Sequence, residues 1–493
     1  MALTPLIVAA VRLPEAPGRT RRAFALGLIA GAAYFAGTLY WLVETMTTFG
    51  GLATPIAVVA AALLVAYLAL FPAAFAVIVA QFRASFGRPT AMWLAPAVWV
   101  ATELGRQYVW DGFPWELLGY SQVTVLPIAQ LASVVGVYGL SGLLVFVSTA
   151  VAMAIVETGR SRWIAAVMAV TLVVGVALWG RARLNGAGLA SQGTPIRVAV
   201  LQGNIAQDDK WNPALADRIT DTYIGMTRQA LSQGAQFILW PESATPFLFE
   251  IDLARGGAIR RLAQQSGATL LVGSDQIEPL APAAQPQGSE RYYNAAFLVK
   301  PDGSTGAIYR KMHLVPFGEY VPLKRLLFFV GPIVEAVSDF TPGDAPVLLP
   351  VAGHVASTAI CYEVIYASLM RRFVMDGSEL LTTITNDAWY GRTSAAYQHW
   401  DQASLRAIEN GRYLARAANT GISGFVDPYG RVLQKTDLFE PAVLVGDLRF
   451  LQSRTIYSRI GDLAAWLSLA LTLAGLLAAY TVSRRPRAPL QVE

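Results

Sequence analysis

Phe237-Ile238-Leu239-Trp240-Pro241-Glu242-Ser243 and Ala359-Ile360-Cys361-Tyr362-Glu363 follow one design: a short apolar run that ends on a side chain able to do chemistry. Runs of this length, rich in aromatic and branched residues and stopped by proline or a polar residue, predict buried β-strands. A third stretch, Tyr309-Arg310-Lys311-Met312-His313-Leu314-Val315-Pro316-Phe317-Gly318-Glu319, sets a lysine and a second glutamate around a compact apolar segment. Further strands are expected at 196–202, 269–273, 294–299, 380–385, 423–426 and 443–447. Helices are expected at 214–233, 253–266, 365–376 and 402–410. Such alternation predicts an α/β domain of sheets covered by helices, with its site at the strand ends. The Ala-, Pro- and Gln-rich segment 281–290 reads as a surface loop.

Each reactive residue also has a bland reading. A cysteine after an apolar strand is usually a small buried hydrophobe, a Pro-Glu pair usually starts a turn or helix, and a lysine is usually a solvated charge. Glu319 alone could cap a turn. Taken together they say more. Cysteine supplies a nucleophile, glutamate a base for its proton, and lysine a fixed positive charge for the oxyanion formed on attack. No histidine is required in that scheme. The chain has one cysteine and three histidines, and His313, His354 and His399 show no metal-ligand spacing, so neither a metal nor another cofactor is expected.

Outside this middle region the chain changes character. Of 493 residues, 54% are hydrophobic and 14% charged, against about 25% charged in ordinary soluble domains. The excess lies in apolar stretches at 23–43, 55–80, 126–156, 163–180 and 463–482, each long enough to cross a bilayer, with a weaker one at 91–105. Stretch 126–156 is long enough to be tilted or broken near Gly136. Arginines mark one side: Arg19, Arg21 and Arg22; Arg83 and Arg88; Arg160 and Arg162; Arg484, Arg485 and Arg487. By the positive-inside rule, six crossings put both termini in the cytoplasm and the region between Arg181 and Asp462 outside, with Arg181 and Arg183 a mild exception. The net charge of +5 is thus a topology signal, not a mark of nucleic-acid binding. The expected organisation is transmembrane helices in 1–194, a catalytic domain in 195–460, and a last helix with a cytoplasmic tail in 461–493. Segment 5–11 is apolar but too short to span, and it lacks the basic start and small-residue cleavage site of a signal peptide.

A Glu–Lys–Cys set in this order resembles the nitrilase, or carbon–nitrogen hydrolase, superfamily, whose fold is an α-β-β-α sandwich. The local motifs are sharper. Trp240-Pro241-Glu242-Ser243-Ala244, His313-Leu314-Val315-Pro316-Phe317-Gly318-Glu319, Ile360-Cys361-Tyr362-Glu363 and Asn386-Asp387-Ala388-Trp389-Tyr390-Gly391 are similar to patterns of the apolipoprotein N-acyltransferase family. So are Thr48-Phe49-Gly50-Gly51, Gly112-Phe113-Pro114-Trp115 and Gly119-Tyr120-Ser121-Gln122 in the apolar part. The resemblance runs from about Ala23 to the C-terminus. It implies a multi-pass inner-membrane enzyme with a periplasmic nitrilase-like domain. Cys361 would take the acyl group, Glu242 act as base and Lys311 support the oxyanion. Glu319 would orient Lys311, Tyr362 and Glu363 would support the nucleophile, and Trp211 would meet substrate or serve as a packing aromatic. The family has eight spans where this chain shows six and a stub, as if it started late, which leaves the orientation unchanged.

The resemblance further implies acyl transfer from a phospholipid, such as phosphatidylethanolamine, to the α-amine of a diacylglyceryl-cysteine, through a thioester. Segment 323–330 (LKRLLFFV) reads as a lid over that site, or as a buried helix. A membrane-tethered amidase would leave six spans unexplained. A transporter would be expected to keep ionisable residues at mid-membrane, whereas Glu44 and Glu103 lie near span ends.

Overall fold

The computed structural model describes residues 3–110, 112–279, 290–316, 318–320 and 340–484. Segment 323–330, and 281–290 but for its last residue, lie outside them. The chain divides into two compact units, Met1–Tyr40, Val58–Arg183 and Ile460–Glu493 in one, and Trp41–Ala57 with Leu184–Arg459 in the other.

The first unit is helical. Among the described residues four helices are long and apolar enough to cross a membrane, or five if Arg19–Thr38 and Trp41–Phe49 count as one broken span. The stretch expected at 91–105 is a helix of spanning length, Arg88–Tyr108, but falls outside that count. Its last turns carry Glu103 and Arg106, both buried. Glu103 accepts from the Leu118 amide at 2.8 Å, and Arg106 donates to the Glu116 carbonyl and lies over the Phe35 ring. Packing within the bundle, not apolar composition, accommodates these charges. The long stretch at 126–156 is indeed broken: Leu126–Ala129 is a separate turn, and Gly136 interrupts Ala132–Val156 with φ 66°. Close helix approach is set by small residues. A Cβ on Gly27 would stand 2.3 Å from the Pro72 carbonyl oxygen, so any larger residue there forces two helices apart. Segment 5–11 lies in the helix Thr4–Arg12, with Ile7, Ala10 and Val11 fully buried.

The second unit contains two six-stranded sheets. The first holds β1 (Thr194–Gln202), β2 (Phe237–Leu239), β3 (Thr269–Pro279), β4 (Glu290–Val299), β5 (Thr305–Arg310) and a strand from the far end of the unit. The second holds β6 (Leu349–Val351), β7 (His354–Ile360), β8 (Leu380–Thr385), β9 (Leu414–Ala418), β10 (Gly424–Val426) and β11 (Val432–Lys435). β12 (Ala442–Phe450) returns to pair with β1 in the first sheet. Each sheet is built on a β-α-β-α-β run of three parallel strands, β1-β2-β3 and β7-β8-β9, flanked by antiparallel ones. Helices Ala216–Ser232 and Leu253–Ser266 cover the first sheet, Ala367–Asp376 and Ser394–Asn410 belong to the second, and β1 packs on β9 between them. This is the expected α-β-β-α order. The parallel strands are buried on both faces, so β2, β8 and β9 expose no residue.

The helix expected at 402–410 starts eight residues earlier, where the Thr393 hydroxyl caps the Ala395 amide. β5, β6, β9 and β11 were not foreseen. Lys311 follows directly on the end of β5.

Candidate active site

Three strand ends converge. β2 ends at Leu239, three residues before Glu242; β5 ends at Arg310, one before Lys311; and β7 ends at Ile360, one before Cys361. Glu242 is nearly sealed from solvent, and both of its oxygens are engaged. Oε1 accepts from Asn294 Nδ2 at 2.7 Å and from Lys311 Nζ at 3.2 Å, while Oε2 accepts from the Asn386 amide at 2.8 Å. Lys311 Nζ also donates to Glu319 Oε1 at 2.9 Å, and Glu319 is held in turn by Asn294 Nδ2 and the Val315 amide. Two carboxylates therefore share one buried ammonium and one amide.

The electrostatics follow from that packing. Burial opposes charge on Glu242, but the Lys311 and Lys210 ammonium groups and the Asn294 bond outweigh it and hold the carboxyl below its ordinary range. Burial likewise opposes charge on Lys311, and Glu242 and Glu319 overcome it, raising its pKa well above normal. Cys361 is different. Burial first, then the Glu242 charge, push its thiol up to about 12, with Lys311 pulling the other way. At rest the site holds a neutral thiol beside an ionised carboxylate and an ionised lysine.

Cys361 has φ 52°, the left-handed region that side chains rarely adopt. It links the end of β7 to the 3-10 turn Cys361–Ile365. Glu363 braces this bend. Its Oε2 accepts from the Ile360 amide at 2.7 Å, and its Oε1 accepts from the Met312 and His313 amides at 2.6 and 3.1 Å and from the Tyr309 hydroxyl at 2.8 Å. One buried carboxylate thus ties the residues preceding Cys361 to those following Lys311. Tyr362 is buried, its hydroxyl accepting from that of Tyr366 at 3.3 Å. Trp211 is not brought into the bonded cluster and stays 48% exposed. Its neighbour Lys210 is brought in: buried, it donates to the Glu242 carbonyl oxygen at 3.0 Å, and burial lowers its pKa to about 8.

Several of these partners went unrecognised in the sequence. Asn294 lies within β4 and Asn386 follows β8, and neither carries a spacing signal. His399 lies where no helix was expected. It is fully buried, and its Nε2 is 3.1 Å from the Cys361 carbonyl oxygen.

The bracing role of Glu363 makes a prediction. Glu363→Gln would turn an NH2 group toward backbone donors and leave at least one buried N–H without an acceptor, a cost of about 1–3 kcal/mol. Thermal unfolding of the variant should shift to lower temperature, and both halves of any reaction at Cys361 should slow together. An unchanged unfolding midpoint would remove the bracing role.

A buried Glu–Lys–Glu cluster beside a cysteine at a strained strand end, on two facing sheets, defines a class, and the comparisons agree: the carbon–nitrogen hydrolase family model matches residues 197–456. A model for the apolipoprotein N-acyltransferase N-terminal domain matches residues 1–150. The chain belongs to the apolipoprotein N-acyltransferase family. The protein of that name from Geobacter metallireducens is 38% identical over 95% of this chain and 88% of its own length. The one from Methylococcus capsulatus is 35% identical over 94% and 88%. Among solved structures, a nitrilase-superfamily amidase from Nesterenkonia AN1 aligns with 57% of this chain and 99% of its own, at 24% identity and a TM-score of 0.41; the fold assignment rests on the family match.

Proposed function

We propose that this chain transfers a fatty acyl group from a membrane phospholipid to the amino terminus of a lipoprotein, with Cys361 as nucleophile, Glu242 as base and Lys311 as oxyanion support. The observation that carries the reading is the buried Glu242–Lys311–Glu319 ion-pair cluster beside the sole cysteine, in a chain whose other unit is made of apolar helices.

In the first half-reaction the Cys361 sulfur attacks an ester carbonyl of the phospholipid while Glu242 takes the thiol proton. Glu242 returns that proton to the departing glycerol oxygen, so a thioester forms and a lysophospholipid leaves. In the second, the α-amine of a diacylglyceryl-cysteine attacks the thioester. Its proton passes through Glu242 to the Cys361 sulfur, and an amide results. Both substrates are confined to one membrane plane, which supplies the proximity that two separate encounters in water would lack. Lys311 faces the negative charge that develops in each half. Phosphatidylethanolamine is the proposed donor, and Trp211, exposed beside Lys210, is a proposed substrate contact. Transfer of label from a radiolabelled phospholipid to a diacylglyceryl peptide, in detergent, tests the activity. Release of free fatty acid without labelled peptide would mean that water is the acceptor.

The proposed arrangement places 1–194 and 461–493 in the bacterial inner membrane, with both termini cytoplasmic and 195–460 in the periplasm. Its support is the arginine distribution. In a Cys361→Ser background, Gln229→Cys on the exposed face of Ala216–Ser232 should react with an impermeant maleimide in intact spheroplasts. Reaction only after the membrane is opened would reverse the orientation.

A further inference from the structure

Beside Glu242 stands an acid that the chemistry above does not use. Asp275 lies within β3, which runs close along the segment carrying the base. A Cβ on Gly273 would stand 2.1 Å from the Pro241 carbonyl oxygen, so only glycine lets the two segments meet there. The Ala244 amide donates to the Gly273 carbonyl at 2.8 Å, and the Ser243 hydroxyl donates to Asp275 Oδ1 at 3.0 Å. That is the one hydrogen bond the Asp275 side chain makes among the described residues, so Oδ2 meets no donor, and the side chain stays partly exposed. In register Asp275 pairs with Asn294, which puts the two side chains on one face of the sheet, about 5 Å apart at Cβ. Asn294 is 4% exposed, and its Nδ2 is spent on Glu242 and Glu319, while its Oδ1 has no donor. Two carboxyl oxygens facing Nδ2 fix the orientation of that amide. A buried carbonyl oxygen without a donor is uncommon and costs free energy.

Charge is short in the same direction. Glu242, Glu319 and Asp275 face Lys311 and Lys210, so three acids meet two bases. Lys311 is committed to Glu242 and Glu319 at 3.2 and 2.9 Å, and Lys210 to the Glu242 carbonyl oxygen at 3.0 Å. Burial pushes the Asp275 carboxyl up to about 6; the Ser243 bond and the Lys210 charge oppose this, and Glu242 and Glu319 add to it. At neutral pH Asp275 is ionised all the same. What the face lacks is a cation that brings N–H donors and can reach a partly exposed carboxylate. A primary ammonium carries three such donors and no acceptor.

We propose that Asp275 is the docking carboxylate for the α-ammonium of the acceptor. Its free Oδ2 holds the amino end of the diacylglyceryl-cysteine beside Glu242, so charge as well as apolar fit selects an amine. Phosphatidylethanolamine also carries a primary ammonium. In that donor a glycerol and a phosphate separate the ammonium from the ester that reacts, whereas the acceptor nitrogen must itself reach the thioester next to Glu242. The inference rests on the proposed transfer and on Cys361 as nucleophile, which is tested separately by mass.

The test takes the two half-reactions apart in the full-length protein in detergent. Asp275→Asn should form acyl-enzyme from phosphatidylethanolamine within about twofold of the parent rate, because the lost contact is not made in that step. In the transfer step its half-saturating concentration of diacylglyceryl peptide should rise about 10–10²-fold, the worth of a hydrogen bond to a charged group. The saturated rate should change far less. Transfer to hydroxylamine, which is uncharged at neutral pH, should match the parent. Asp275→Glu, which restores the charge one methylene further out, should recover part of the affinity. Should the Asn variant not accumulate, Asp275→Ser carries the same reading. An unchanged half-saturating concentration would overturn the proposal. So would an equal loss toward hydroxylamine, which would make Asp275 a support for the thioester site. Slower acylation from phosphatidylethanolamine, with that from phosphatidylglycerol intact, would mean that the donor's headgroup is the ammonium bound, and would overturn it too. An acyl group found on a residue other than Cys361 would instead remove the reading beneath it.

Discussion

Lys311→Met should slow both half-reactions by about 10²–10³-fold, the range seen when one oxyanion donor is lost, and no rise in pH should restore the parent rate. Lys311 bridges Glu242 and Glu319 at 3.2 and 2.9 Å, so its removal has a second consequence. With that ammonium gone, burial is less opposed and the Glu242 carboxyl titrates at higher pH. The base then works only where its carboxyl is ionised, so the acid limb of the pH–rate profile should move upward. Above that limb Glu242 is ionised again, yet the plateau should remain low because the charge on the carbonyl oxygen still lacks its partner. Single-turnover acylation and transfer rates across pH read both effects. A variant that regained the parent rate once the limb was passed would show that Lys311 serves only to keep Glu242 ionised.

Glu242→Gln should behave in the opposite way. General-base catalysis contributes about 10²–10⁴-fold, and all of that is lost at neutral pH, where the thiol is un-ionised. Burial and the Glu242 charge together push Cys361 to about 12. Removing the carboxylate lifts the second of these causes, so the thiol of the variant ionises somewhat more easily. Acyl-enzyme formation should then climb with pH as the unaided thiolate appears, along a limb set by the thiol and no longer by a carboxyl. Equal alkaline recovery by the Glu242 and Lys311 variants would mean the two roles have been divided wrongly.

How much of this could be read from the chain before its structure depended on which force dominates locally. β8, Leu-Leu-Thr-Thr-Ile-Thr, has the branched residues of a buried strand and was placed to the residue. β9, Leu-Ala-Arg-Ala-Ala, has no β-branched residue, and its central arginine argues against a strand with no exposed face. It is a strand because Arg416 finds Asp387 and His399 inside the domain, a pairing between residues far apart in sequence. Glu242 and Cys361 were legible because each follows an apolar run, and Lys311 because it flanks one. The residues that hold them were not. Asn294 reaches Glu242 and Glu319 from β4, and Glu363 reaches backbone amides about 50 residues away. No local periodicity reports such contacts. Glu363, expected as a supporting residue, ties the residue before Cys361 to those after Lys311.

The central claim is that the sole cysteine carries the acyl group. Full-length protein in detergent, incubated with phosphatidylethanolamine and no acceptor, should gain one acyl mass by intact mass spectrometry. Hydroxylamine should remove that mass, as expected of a thioester, and peptide mapping should place it on Cys361. Cys361→Ser should remain folded and gain nothing. An acyl adduct that persisted in Cys361→Ser, or that mapped elsewhere in the chain, would contradict the account.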